Sequence, residues 1–218
     1  MHYKRRQLQI EAADVLLRLA QTINQREPGS KEAERLAFEA LSLRQQFEAA
    51  PDKVQALPVN ALVDNRSPGG EEDPYTVLAV ISSARKETSK ELKYYQLARK
   101  RLATILGIAA ANHATLETVR LLKELHRQNE ALKIMVDFEN ELAAQTGDYR
   151  NSLGLMTAFA NTITWAIDNQ KYQLAKKAIK DGLNFESLAN QGLNSGAKEV
   201  MQYRKQTFLS TMQQIKDK

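Results

Sequence analysis

The run "DPYTVLAVISSARKETSKELKYYQLARKRL", Asp73 to Leu102, decides how this chain reads. Asp73-Pro74 has the form of a helix start. The aspartate can cap the first free N–H groups, and proline at the first helical position has no N–H to lose. Apolar and small residues then recur every three or four places: Val77, Ile81, Ala84, Thr88, Leu92, Tyr95, Ala98 and Leu102. That spacing marks one face of an α-helix, close to a coiled-coil seam. Pro74 is also the last proline. The other four are Pro28, Pro51, Pro58 and Pro68, and residues 75–218 contain none. A long proline-free tract rich in Ala, Leu, Lys, Gln and Glu favours helix almost throughout.

The seam runs on through Ile105, Ala109, Leu116, Val119, Leu122, Leu125, Leu132 and Val136. One helix over 74–145 would be about 108 Å long, against a radius of gyration of about 17 Å for a compact chain of this size. A break is therefore expected around "GIAAANHAT", Gly107 to Thr115, with Asn112 or Thr115 as cap. The pieces would still be about 45–55 Å long. "TGD", Thr146 to Asp148, is a second stop and restart. Beyond it, Leu153, Met156, Ala160, Ile163 and Ile167 form a large apolar stripe. Gly154, Ala158, Thr162 and Ala166 form a ridge of small residues beside it. Burial on two sides is expected, as a central helix running through Leu174 and Ile179 and weakening near Gly182. Trp165 is read as core. A last helix, capped by Ser195, carries Val200, Tyr203, Phe208, Met212 and Ile215.

Upstream, Leu8, Ala12, Val15, Leu19 and Ile23 give a first helix one apolar face. Ala33, Leu36, Ala40, Leu43 and Phe47 do the same for a second, with Pro28-Gly29 as the turn. The predicted fold is all-α: an elongated bundle of long amphipathic helices preceded by an N-terminal helical hairpin. Residues 1–50 are the hairpin, 51–73 a Pro/Gly-containing linker whose Val54, Leu57, Val59, Leu62 and Val63 favour docking, and 74–218 the bundle. No internal repeat of 20 to 50 residues is visible and the opening hairpin does not recur, so a helical solenoid is not expected.

Composition narrows the function. Hydrophobic residues make up 43% and charged residues 26% of the 218, an ordinary globular balance. There is no cysteine, which excludes disulfides, thiolate nucleophiles and Cys-based metal sites and fits a cytoplasmic location. The basic N-terminus leads into a pattern broken by Glu11 and Asp14, unlike a secretory signal. The longest charge-free run, Asn151 to Ile167, is too short and too polar for the roughly 20 apolar residues of a membrane span. His2, His113 and His126 lie in no metal-binding spacing, and "GLNSGAK", Gly192 to Lys198, lacks the spacing and the strand of a phosphate loop. No catalytic residue, metal or cofactor is expected.

The net charge of +5 permits an anionic partner without requiring one. On a continuous helix Lys86, Lys90, Lys93, Lys100 and Arg101 share a quarter to a third of the circumference, with Tyr94 at the edge. Such a stripe can neutralise phosphates while the tyrosine stacks on a base. It can equally be the solvated or internally paired outer face of a bundle helix. Lys4-Arg5-Arg6 opens the first helix, where positive charge opposes the dipole. Lys171, Lys176, Lys177 and Lys180 are placed near the C-terminus of the central helix, where cations are favoured. The function expected is a non-enzymatic assembly or scaffold protein acting on a protein partner or on itself as an oligomer. The alternative is a nucleic-acid-associated protein using the Lys86–Arg101 stripe.

Overall fold

The computed structural model describes residues 2–48, 73–144, 152–189 and 195–218, and in them the chain is all-α. The helices are α1 His2–Arg26, α2 Lys31–Glu48, α3 Pro74–Ala84, α4 Thr88–Leu106, α5 Asn112–Glu124, α6 Gln128–Ala143, α7 Ser152–Asp168, α8 Tyr172–Ala189 and α9 Ser195–Gln214. Two compact units form, Met1–Arg127 and Gln128–Lys218. This differs from the division expected at residues 50 and 73, because the hairpin shares its core with α3. Ala13, Leu17 and Ala20 of α1 and Ala33, Leu36 and Ala40 of α2 belong to one cluster with Val77, Leu78 and Ile81 of α3. Most of the expected linker, and the "TGD" stop, lie outside the described residues.

The helices are shorter than the seam implied. The break at 107–111 is present: Gly107 stands at φ 88, a 3₁₀ turn covers Ile108–Ala111, and α5 follows. Asn112 does not cap it. Ala111 holds the cap position, with no side-chain hydrogen bond. Two further breaks, at 85–87 and 125–127, and a third at 169–171 were hidden inside unbroken apolar periodicity. α4 is therefore about 28 Å long, and the expected central helix is two helices, α7 and α8.

The three unforeseen turns share one geometry. Lys86, His126 and Gln170 have φ of 59°, 59° and 56°. Each of their N–H groups donates to a carbonyl three residues back: Ser83 at 2.8 Å, Lys123 at 3.0 Å and Ile167 at 2.9 Å. The next N–H donates five back, to Ser82 at 2.9 Å, Leu122 at 2.8 Å and Ala166 at 2.7 Å. This is the paired-bond closure of the Schellman motif, here without glycine. The turns are 40 and 44 residues apart, and burial recurs around them. Five and nine residues after each turn the buried positions are Glu91 and Tyr95, Ala131 and Met135, Ala175 and Ile179. Four and eight before, they are Ser82 and Leu78, Leu122 and Thr118, Ala166 and Thr162. The chain thus repeats its backbone and its burial without repeating its residues, which corrects the expectation of no repeat.

In the first unit α1 packs on α2, both pack on α3, and α3, α4 and α5 follow in order. In the second, α6 and α7 pack on each other and on α8, and α9 packs on α7 and α8. Helices meeting the next and next-but-one in chain order is how stacked helical hairpins bury their faces.

Close approach matters at two glycines. Gly29, at φ 78, turns α1 into α2, and a Cβ there would sit 2.7 Å from Arg85 Cγ. At Gly182, inside α8, a Cβ would lie 2.7 Å from the Phe208 ring and 3.4 Å from Phe159 Cβ, both buried. Gly182→Ala should therefore destabilise by about 1–2 kcal/mol, although alanine gains about 1 kcal/mol in helix propensity. Urea unfolding reads the sign, and a more stable variant would contradict the tight α8–α9 contact.

Helix phase departs from expectation in α1. The buried side is Ile10, Ala13, Leu17 and Ala20, while the predicted core residues Leu8, Val15 and Leu19 are exposed. Ala13 and Ala20 of α1 share one buried cluster with Ala33, Ala37 and Ala40 of α2, and small side chains at a helix contact allow a short interaxial distance. In α9 Met201 and Phe208 are buried, as is Ile215 just after it, whereas Val200 and Tyr203 are exposed. Trp165 is half-buried.

Candidate functional site

The turn at 85–87 divides the basic stripe. Lys86 sits in the turn and is exposed. Lys90, in the first turn of α4, pairs with Glu87 at 2.9 Å. Lys93 and Lys100 are exposed on the outward face of α4, with no ion-pair partner among the described residues. Lys90 to Lys100 spans about 15 Å.

Tyr94 and Arg101 turn inward. The Tyr94 ring meets Phe38 of α2 edge-on, with centroids 6.4 Å apart, and burial pushes its hydroxyl pKa up. The Arg101 guanidinium pairs with Asp73, whose side chain also accepts from the N–H groups of Tyr75 and Thr76 as the cap of α3. Asp73 is only 2% exposed. Burial holds its pKa above the usual carboxylate value while the Arg101 charge pulls it down. The helix start at Asp73-Pro74 is thus also the anchor of the stripe's last residue. Of the six positions, Lys86, Lys90, Lys93 and Lys100 face solvent, and Tyr94 and Arg101 hold helices together.

That employment of charge recurs. Glu91 of α4 is buried and meets Arg120 of α5 at 2.9 Å; Glu186 of α8 is buried and meets Lys205 of α9 at 2.9 Å. Buried Glu139 of α6 meets Lys177 of α8, which also bonds Asp181 at 3.1 Å. Arg85, at the end of α3, donates to the Gly29 carbonyl and to Glu34, both at 2.7 Å, and so clamps the α1–α2 turn. The lysine cluster at 171–180 follows the end of α7 and occupies the first half of α8, so the dipole argument for it reverses. Lys177 is there for Glu139, and Lys176 donates to the Lys216 carbonyl at 2.9 Å. His113 stacks edge-on against Tyr95, centroids 6.0 Å apart. Among the described residues no helix is long and apolar enough to cross a membrane.

The surface that sequence reading missed is on α1. Leu8, Val15 and Leu19 are 62%, 64% and 46% exposed, with Ala12 exposed between them. The signal was the second three–four series on the same helix, Ile10, Ala13, Leu17 and Ala20, which left one of two apolar faces to point outward.

No family model matches the chain, and no curated protein matches it. Among solved structures it is similar to BtubC (BKLC) from P. vanneervenii, at 16% identity over 97% of this chain and 89% of that one, with a TM-score of 0.38. A likeness at that level carries no argument about function.

Proposed function

We propose that this protein is a non-enzymatic assembly or scaffold protein that works by helix-to-helix contact, with another protein or with itself. The observation that supports this is the outward stripe of α1. Large apolar side chains aligned in solvent mark contact surfaces, and anchors at such spacing are how amphipathic helices pair. The buried carboxylates fit the same reading, since Asp73, Glu91, Glu139 and Glu186 are each tied to a cation on another helix. Light scattering after size exclusion, at rising concentration and with or without nucleic acid, tests it. Association that ignores nucleic acid is the expected result. A chain that gains mass only with DNA or RNA overturns it.

The alternative, phosphate-backbone binding, is favoured by the outward Lys93 and Lys100, with Lys86 and Lys90 nearby. If it holds, Lys93→Glu with Lys100→Glu lowers affinity at low salt by about tenfold or more. The salt dependence should also fall by about two phosphate contacts. Binding that is unchanged by both substitutions removes the stripe as the site.

A further inference from the structure

We infer that the outward face of α1 pairs with the same face of a second copy of this chain, the two helices running antiparallel. This rests on the assembly reading and names its partner. The stripe Leu8, Ala12, Val15, Leu19 is spaced four, three, four, so it reads the same in either direction. Turned about a two-fold axis, Leu8 meets Leu19 of the second copy and Ala12 meets Val15. Each contact then occurs twice, as in an isologous interface.

The charges agree with that register. Glu11 and Arg18 are exposed and border the stripe on one side, about 70° and 90° from its midline. A two-fold axis between antiparallel helices keeps that side on the same side. Glu11 of one copy then lies within about 3 Å, along the axis, of Arg18 of the other. A parallel two-fold arrangement would carry the partner's Glu11 and Arg18 to the opposite side of the seam, where the pair cannot form. Both residues also interact within their own chain, so the argument is one of matching sign across the interface. Four side chains over three turns fall short of a standard interface of about 1,600 Å², so the dimer should be reversible, in the micromolar range.

Sedimentation velocity over a wide concentration range tests this. Val15 is exposed, so Val15→Glu should leave the circular dichroism unchanged and weaken the dimer by at least about a hundredfold, because symmetry introduces the charge twice. Glu11→Arg and Arg18→Glu should each weaken it by about tenfold, and the two together should return it to within about threefold of the parent. A parent that associates equally well as Val15→Glu overturns the α1 contact and leaves the assembly reading standing. A double exchange that fails to recover overturns the antiparallel register. A monomeric parent overturns the proposal. If in addition Val15→Glu lowers its melting temperature, the stripe is covered from within the same chain.

Discussion

Asp73→Ala is expected to destabilise the first unit by about 3–5 kcal/mol. Two losses combine. The cap of α3 disappears, since the Asp73 side chain accepts from the Tyr75 and Thr76 N–H groups, and a lost cap typically costs about 1 kcal/mol. The larger part is the lost charge pair: the Arg101 side chain is only 13% exposed, and removing the carboxylate that a guanidinium meets at that depth is costly. Asp73→Asn separates the two, because asparagine caps about as well as aspartate but carries no charge. It should recover about 1 kcal/mol of the loss. Denaturant unfolding measures both variants, and a loss under about 1 kcal/mol for Asp73→Ala would mean that water already solvates Arg101.

Lys177→Ala should cost about 3 kcal/mol in the second unit at neutral pH, and the loss should shrink in mild acid. Glu139 is fully buried and one of its oxygens has no hydrogen-bond partner. Burial raises its pKa, with the neighbouring Asp181 adding to the rise and Lys177 opposing it. Without the lysine, two neighbouring carboxylates face each other. A carboxyl whose folded pKa lies above its unfolded value takes up a proton on folding. Its stabilisation is full below the unfolded value of 4.5 and is lost as pH rises through the folded value. The gap between variant and parent should therefore be smallest at and below the unfolded value and widen toward neutrality. Adding Glu139→Gln should remove most of the pH dependence, and a gap that is flat with pH would show that Glu139 reaches water once Lys177 is gone. The reverse substitution is milder. Lys177 is 47% exposed, so Glu139→Gln in the parent strands no buried charge and should cost about 1 kcal/mol.

These two pairs show how the candidate site divided. Lysines at 86, 90, 93 and 100 were legible as an outward basic face, because a helix exposes what its seam excludes. Arg101 lies beside them on the helical wheel and looked equivalent. Only the return of α4 past the start of α3 assigns it to Asp73. The same holds for Lys177: its sequence neighbours are lysines, and its partner is 38 residues away.

By itself the sequence determined that this chain is helical, that a helix begins at Asp73-Pro74, and that Leu92, Tyr95, Ala98 and Leu102 face inward. These are local matters: capping chemistry, the missing prolines and a period of three to four residues act within a few turns. The turns at Lys86, His126 and Gln170 were decided by tertiary structure. A left-handed closure without glycine leaves no mark in composition. Tertiary structure likewise chose between the two faces of α1. Both had the right spacing, and burial of Ala13, Leu17 and Ala20 in one cluster with the alanines of α2 left Leu8, Val15 and Leu19 outward.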